Sequence, residues 1–397
     1  MQTPVLAGRV QVPCSKSIAH RALIGNYLAG RGNIRNLIWN EDLRATRAAL
    51  AALSVPGQDV WCGASASTLR FLLPLALAKG GRFVFTGSNE LARRPLTPYL
   101  EIMERQHIRY RFGELGGLSL TVEGKLKADT FVIPGNISSQ FVSGLLMALP
   151  LLEEDSEILV EGALESQPYV DMTGAVLHQY GVQFVNEDYR RFFVPGQQNY
   201  LSCDFTVEGD YSLGAVWLAA GLLGQQPLEV TGLMPNSLQG DGVCLELFHR
   251  MGGQIAVKEK SLVAYPSELQ GLEMDARDCP DLVPVFAVLG CLAKGRTKIC
   301  HAGRLRIKES DRLTALAEEL GKLGAKIEET RDGLLIEGVE RLRGGAVQGH
   351  LDHRIIMALT LASLRSEGTV LIEGAEQVRK SYENFWQDFV RLGGNYA

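Results

Sequence analysis

Residues 281–328, DLVPVFAVLGCLAKGRTKICHAGRLRIKESDRLTALAEELGKLGAKIE, hold the pattern that decides the fold. Asp281 opens the run Leu282 to Ala293, which is apolar nearly all the way round and is followed by Lys294-Gly295. A run of that length is too short to cross a bilayer and fits a helix buried in a protein core. Thr297-Lys298-Ile299 then reads as strand and Glu309-Ser310-Asp311 as the start of a second helix. In that helix Leu313, Leu316, Ala317, Leu320 and Leu323 fall on one face at i, i+3, i+4, i+7 spacing, so it is amphipathic. Gly324 stops it, and Lys326-Ile327-Glu328 resumes as strand.

The same two-part unit recurs along the chain. Apolar runs follow polar tufts at Arg21 to Gly30 after Ser15-Lys16-Ser17, and at Arg70 to Ala78 after Ser65-Ala66-Ser67-Thr68. Others are Phe141 to Leu152 after Ser138-Ser139-Gln140, Gly214 to Leu223 after Asp210-Tyr211-Ser212, and Ile355 to Leu364 after Asp352-His353-Arg354. Glycines such as Gly30, Gly80 and Gly295 suit left-handed C-terminal caps. Strand, amphipathic helix and return strand follow Gly32, Arg82, Glu157, Pro227 and Thr369, with glycine before the return strand in most, as in Tyr180-Gly181-Val182 and Met251-Gly252-Gly253. Six copies of one α/β unit predict two lobes of three with a cleft between them.

Composition narrows the function. With 397 residues the chain is ample for a large core, and its formal charge of -5 advertises neither nucleic acid nor an anionic membrane surface. The seven cysteines form no CxxC pair and read as reduced, mostly buried thiols of a cytoplasmic protein. Residues 1–12 lack a basic start followed by an apolar block, so no signal peptide is expected.

If the apolar helices pack side by side, their polar openings point one way. Helix N-termini carry unpaired N–H groups and about half a positive charge, so several converging make an anion site. Lys16, Arg21, Arg70, His353 and Arg354 sit at or beside these openings. Loops add Arg93-Arg94 before Pro95, Arg306, Lys308 and Arg312 around Glu309, and Lys380 after Arg379. Among these cations lie Asp281, Glu309 and Asp352, which either form ion pairs or exchange protons with a substrate. The pattern supports chemistry on small, multiply anionic substrates, which spacing alone does not name. His350 and His353 flank Asp352, but no further His or Cys has matching spacing, so no metal site is expected.

Ser15-Lys16-Ser17-Ile18-Ala19-His20-Arg21, Cys62-Gly63-Ala64-Ser65-Ala66-Ser67-Thr68-Leu69-Arg70, Ser138-Ser139-Gln140-Phe141 and Ser166-Gln167-Pro168-Tyr169-Val170-Asp171 stand in that order. Arg306-Ile307-Lys308-Glu309-Ser310-Asp311-Arg312, Asp352-His353-Arg354-Ile355 and Lys380-Ser381-Tyr382 follow. Together they resemble the motifs of the 5-enolpyruvylshikimate-3-phosphate synthase family of enolpyruvyl transferases, over essentially the whole chain. The resemblance implies a two-lobed inverted α/β barrel, each lobe three βαβαββ repeats with helices inside and sheets outside. The N-terminal lobe is expected over residues 15–208 on the shikimate 3-phosphate side, and the C-terminal lobe over 1–14 plus 209–397 on the phosphoenolpyruvate side. The chain then crosses near Cys14 and Glu208, the first strand completes the C-terminal lobe, and the active site lies between the two.

The implied reaction moves the enolpyruvyl group of phosphoenolpyruvate to the 5-hydroxyl of shikimate 3-phosphate and releases phosphate, in aromatic amino acid biosynthesis. The implied protein is a cytoplasmic monomer with no cofactor, no metal, and no nucleic-acid or membrane partner. By motif position Lys16, Ser17, Arg21, Ser138, Ser139, Gln140, Ser166, Asp281 and Lys308 hold shikimate 3-phosphate, its phosphate on Ser138, Ser139, Ser166 and Lys308. Lys16, Ala66, Arg94, Gln140, Arg312, Arg354 and Lys380 are on the phosphoenolpyruvate side. Lys16, Asp281, Glu309 and His353 are the implied catalytic set, with Glu309 or Lys16 as general acid and Asp281 as base.

Several residues depart from the family pattern. Cys14 stands where glycine is common, Ala64 where Asn is usual, Ala66 where glycine is usual, and Gln167 where a Lys or Arg often precedes Pro-Tyr. Arg304 takes a place where some relatives carry Asn. The Ala66 methyl narrows the phosphoenolpyruvate pocket, so weak inhibition by glyphosate is expected. Two rivals are the sister transferase acting on UDP-N-acetylglucosamine and a non-catalytic binding descendant. The sister usually carries a reactive Cys just before an Arg-Pro pair, which Leu91-Ala92-Arg93-Arg94-Pro95 lacks. Retention of Lys16, Asp281, Glu309 and His353 argues against the second.

Overall fold

The protein is described from a computed structural model over residues 5–55, 57–113 and 116–396; residues 1–4 and 397, which the expected C-terminal lobe includes, lie outside the described residues. Its contacts divide it into two compact units, Lys16–Val207 and Met1–Ser15 with Glu208–Ala397.

In the unit Lys16–Val207, one four-stranded sheet has the order Val60–Trp61, Gly81–Gly87, Leu118–Gly124, Arg109–Phe112, and a second the order Thr130–Pro134, Ser156–Glu161, Arg191–Val194, Val185–Glu187. In each the first pair is parallel and the others antiparallel. Asn33–Arg35 pairs in parallel with Asp204–Thr206. The other unit repeats this plan. Gly8–Gln11 lies parallel to Leu228–Thr231, whose sheet continues through Ser261–Tyr265 to Gln254–Val257. Glu273–Asp275, Arg296–Cys300, Gly333–Glu337 and Lys326–Thr330 form the second sheet, and Leu342–Gln348 pairs with Ser366–Glu373.

The six apolar runs are helices Lys16–Leu28, Ala66–Lys79, Ser139–Ala148, Tyr211–Leu223, Val283–Leu292 and His353–Ser363. All thirteen residues of Tyr211–Leu223 are buried. An all-round apolar surface excludes any solvent face, and each large side chain buried contributes about 1.5–3 kcal/mol. Their openings are capped by side chains of the polar tufts: Ser65 accepts from the Thr68 amide, Ser138 from Gln140, Asp210 from Ser212 and Leu213, and Asp352 from Arg354. Helix Ala66–Lys79 contains Pro74, which has no N–H for the Arg70 carbonyl one turn back. The Tyr99 hydroxyl donates to that carbonyl at 2.8 Å and lies 3.1 Å from the Phe141 carbonyl, pinning the helix to its neighbour.

Three expectations need correction in detail. Only two repeats of each unit carry all six elements among the described residues; the repeat around Lys16–Leu53 and the one around Leu342–Arg391 stop at β-α-β-α. After helix Glu41–Leu53 the chain reaches strand Val60–Trp61 too soon for a hairpin. Gly30 is left-handed with φ 73°. Gly80 instead has ψ 158°, and helix Val283–Leu292 already ends at an extended Ala293 because the Lys294 amide turns away to the Leu269 carbonyl. After Gly181 the return strand starts at Val185, not Val182, since the Val182 amide caps the Leu177 carbonyl.

Candidate active site

In the unit Lys16–Val207 the polar openings are tied to one another. Lys16, the first residue of its helix, has Nζ 2.9 Å from Asp42 Oδ2. His20 is buried, with Nδ1 2.7 Å from Thr46 Oγ1, and Thr46 is 2.6 Å from Thr68 Oγ1. Burial, with Lys16 and Arg21 adding and Asp42 opposing, pushes the His20 pKa down to about 3, so the ring is neutral. Arg21 donates to Thr173 Oγ1 (2.7 Å), the Ser17 carbonyl (2.7 Å), the Tyr169 carbonyl (2.9 Å) and Ser143 (3.3 Å), and lies over the Phe71 ring. It joins its own helix to three others, and burial lowers its pKa to about 10, still charged at neutral pH.

Sequence reasoning placed Arg70 at a helix opening without a role. It is a hub, donating to Gln140 Oε1 at 2.9 Å, Ser138 Oγ at 3.4 Å and the Pro95 carbonyl at 2.7 Å, while Gln140 reaches Ser67 at 2.9 Å. It thus brings together the Ala66 opening, the Arg94 loop and the Ser138-Ser139-Gln140 opening. The signal was there in the sequence: a cation at the head of a run otherwise without charge. Ser166 is buried and left-handed (φ 58°) at the start of helix Gln167–Gln179, a strained backbone that non-glycine residues adopt mostly at constrained sites. Ser139 and Ala66 are buried, and Arg94 is half-buried.

In the other unit Arg312 is the centre. Its guanidinium, 2% exposed, donates to Asp352 Oδ2 (2.8 Å) and Oδ1 (3.3 Å), Asp281 Oδ1 (2.8 Å) and Glu309 Oε2 (3.0 Å). Four of its five N–H donors are thereby used by carboxylates. Burial alone would lower its pKa, but Asp352, Glu309 and Asp281 outweigh that and hold it above the usual range. Arg354 reaches Asp281 Oδ2 at 3.1 Å, Lys380 Nζ is 3.6 Å from Glu309 Oε1, and His353 is buried beside Asp352. Burial would raise the Asp281 carboxyl; Arg354, Arg312 and Lys308 pull it well below the usual range. Burial, with Arg304 and Arg312 adding, pushes the Lys308 ammonium down to about 8, against Asp281 and Glu309. Lys308, Arg312, Arg354 and Lys380 face Asp281, Glu309 and Asp352, with Asp210 and Asp241 also acting on Arg354, so an incoming anion competes with carboxylates for these cations. Arg304 donates to the Arg277 carbonyl, with its charge still felt at Lys308.

Two further groups bear on chemistry. Glu318, Glu319 and His350 have ligand atoms within 4.8 Å of one another. Glu319 already takes Lys322, the Gln348 amide and His350. Cys62 is buried and its thiol is pushed up by burial, the opposite of an activated nucleophile. No helix of the described residues is long and apolar enough to cross a membrane.

Repeated α/β units whose buried helices open onto lysine, arginine, serine and aspartate define a class of protein that handles small polyanionic metabolites. The chain belongs to the EPSP synthase (3-phosphoshikimate 1-carboxyvinyltransferase) family, whose model matches residues 2–60 and 54–389. It is 43% identical over 411 residues to a 3-phosphoshikimate 1-carboxyvinyltransferase of Clostridium perfringens, covering 98% of this chain and 96% of that one. It is 44% identical over 413 residues to that of Clostridium acetobutylicum, with the same coverage. Among solved structures, the fold is shared with EPSP synthase from Acinetobacter baumannii (TM-score 0.81, 22% identity, 99% of this chain and 97% of that one). It is shared also with the enolpyruvyl transferase NikO from Streptomyces tendae (TM-score 0.78, 19% identity, 98% and 96%).

Proposed function

We propose that the protein transfers the enolpyruvyl group of phosphoenolpyruvate to the 5-hydroxyl of shikimate 3-phosphate and releases phosphate. The observation that carries this reading, in a chain of this family, is the convergence of Asp281, Glu309 and Asp352 on Arg312 with Arg354, Lys308 and Lys380 around them. On this reading Lys16, Ser17, Arg21, Ser138, Ser139, Gln140, Ser166 and Lys308 hold shikimate 3-phosphate. Arg94, Arg354, Lys380 and Lys16 take the phosphate and carboxylate of phosphoenolpyruvate, beside Ala66 and Gln140. Arg312, its donors nearly exhausted by carboxylates, mainly orders Asp281, Glu309 and Asp352 and adds field rather than a new bidentate contact.

Bond formation requires the two anions in contact, and fixed cations offset their repulsion. Glu309 or Lys16 gives a proton to the methylene carbon of phosphoenolpyruvate, and its C2 gains cationic character. The 5-hydroxyl oxygen attacks C2 while its proton passes to Asp281. The tetrahedral intermediate then breaks its C2–O(phosphate) bond, phosphate leaves with the electron pair, and the methyl group returns a proton to form the enol ether. Asp281 is a weak base while Arg354, Arg312 and Lys308 neutralise it. An incoming anion competes for Arg354 and Lys308, so Asp281 becomes more basic when substrate is present. Holding the pair in register supplies about 7–11 kcal/mol of the barrier reduction. The protein is read as a cytoplasmic monomer that needs no cofactor. Phosphate release from purified phosphoenolpyruvate and shikimate 3-phosphate, with no release when UDP-N-acetylglucosamine replaces the latter, is the expected result; no turnover with shikimate 3-phosphate overturns the reading.

A further inference from the structure

We propose that Glu319 is a positioning residue for phosphoenolpyruvate, its carboxylate holding the turn Gly349–Asp352 in a costly conformation that aims Asp352 and Arg354. This rests on the reading of Arg354 as a phosphoenolpyruvate ligand.

The turn is unusual in its residues. The Asp352 amide donates to the Gly349 carbonyl at 2.9 Å, and the two central residues are left-handed, His350 at φ 50° and Leu351 at φ 54°. That is the geometry of a type I′ turn, which favours asparagine and glycine at those places. The same geometry occurs at Asp188 (φ 50°) and Tyr189 (φ 56°), where it joins the antiparallel strands Val185–Glu187 and Arg191–Val194 and strand twist calls for it. Between strand Leu342–Gln348 and helix His353–Ser363 no hairpin makes that demand. Leu351 is 53% exposed, so its burial offsets little of the backbone cost. Non-glycine residues in this region persist only where the surroundings over-determine them.

Glu319 supplies that over-determination. Its side chain is 1% exposed, on the helix Arg312–Lys322 two turns beyond Arg312 and so on the same face. One oxygen accepts from the Gln348 amide at 3.0 Å and from Lys322 Nζ at 2.8 Å; the other lies 2.7 Å from His350 Nε2, which must donate because a carboxylate can only accept. The grip therefore falls on both sides of Gly349. Immediately after the turn, Asp352 takes Arg312 and the Arg354 amide, and Arg354 reaches Asp281. One helix thus fixes the Arg312 guanidinium and, through Glu319, the backbone that places its partners.

Steady-state kinetics on the full chain test this. Glu319→Gln keeps the volume but loses the charge and one of the two acceptor oxygens, so it cannot hold both the Gln348 amide and His350, and should raise the KM for phosphoenolpyruvate about tenfold, inside the roughly hundredfold that a 1 Å misplacement costs. The KM for shikimate 3-phosphate should stay within about twofold and kcat within about threefold. Adding Leu351→Gly, a residue at ease at φ 54°, should bring the phosphoenolpyruvate KM back to within about threefold of the starting value, a coupling that general damage to the helix does not produce. Should Glu319→Gln not fold, His350→Ala removes one arm of the grip, and a smaller rise rescued by Leu351→Gly is expected. An unchanged KM in these variants, or a rise that Leu351→Gly leaves in place, overturns the proposal. Arg354→Lys separates the two layers: if it leaves the phosphoenolpyruvate KM unchanged, the ligand assignment fails, whereas a raised KM there with an indifferent Glu319→Gln sinks only the positioning role.

Discussion

Raising the pH should disarm the protein through Lys308. A lysine ammonium ordinarily titrates at 10.5; this one is pushed down to about 8, first by burial and then by the charges of Arg304 and Arg312, with Asp281 and Glu309 opposing. At pH 7 about nine in ten molecules carry the charge and at pH 9 about one in ten, so affinity for a phosphate held by Lys308 falls about tenfold across that interval. Because kcat/KM reports the free protein, kcat/KM for shikimate 3-phosphate should bend downward near pH 8, while kcat at saturation bends later, the bound phosphate favouring the charged lysine. The assay is initial-rate phosphate release at low shikimate 3-phosphate from pH 6.5 to 9.5 at constant ionic strength, repeated with Lys308→Arg, whose guanidinium stays charged throughout. A flat kcat/KM in the parent, or the same bend in Lys308→Arg, refutes the reasoning. Stability moves the other way. The unfolded lysine keeps its proton to about 10.5 and the folded one releases it near 8, so between those values the unfolded chain binds more protons and stability rises with pH. The cost of keeping the charge in the fold is present in full below about pH 8 and, with solvent screening this half-buried residue, is under about 3 kcal/mol.

Other expectations concern single residues. Ala66→Gly removes a buried methyl at the first turn of helix Ala66–Lys79 and should lower the inhibition constant for glyphosate about tenfold or more; an unchanged constant counts against the pocket assignment. Asp281→Asn should cut kcat by about 10²–10⁴ with substrate KM values changed far less, and a kcat within twofold would remove Asp281 from the proton-transfer role. Gly144→Ala would drive a methyl into the Tyr99 hydroxyl and the Arg70 carbonyl and should cost about 1–3 kcal/mol. Gly321→Ala, inside helix Arg312–Lys322 with no heavy atom within 4 Å of the added carbon, should instead gain about 0.5–1 kcal/mol. Thermal melts that shift the two variants in the same direction contradict the packing described.

The six buried helices were legible because an all-round apolar run has one physical solution, and their caps because Ser65, Ser138, Asp210 and Asp352 are the residue types that satisfy first-turn amides. The grouping of Glu309 with Arg312 was also readable, three residues apart on one helix start. What stayed hidden depends on distant partners. A strand after Gly32 was readable, but Asn33–Arg35 and Asp204–Thr206 are short and mostly exposed, so no periodicity marks them as partners. Arg21 showed only as a cation at a helix opening because its acceptors at Ser143, Tyr169 and Thr173 lie more than a hundred residues away. Glu319 lies off the apolar face of Leu313, Leu316, Ala317 and Leu320 and nothing in the sequence singles it out; it is buried because its carboxylate takes the Gln348 amide and His350.

The parallel pairing of Gly8–Gln11 with Leu228–Thr231 has a consequence for biosynthesis. Every strand of Lys16–Val207 finds its neighbours inside that segment, so it can close while translation continues. The earlier strand has no such neighbour and leaves the ribosome with an open edge, the kind of edge that recruits stray chains. It stays in that state until the polypeptide has grown past Thr231, which makes this stretch a natural point for chaperone protection in the nascent protein.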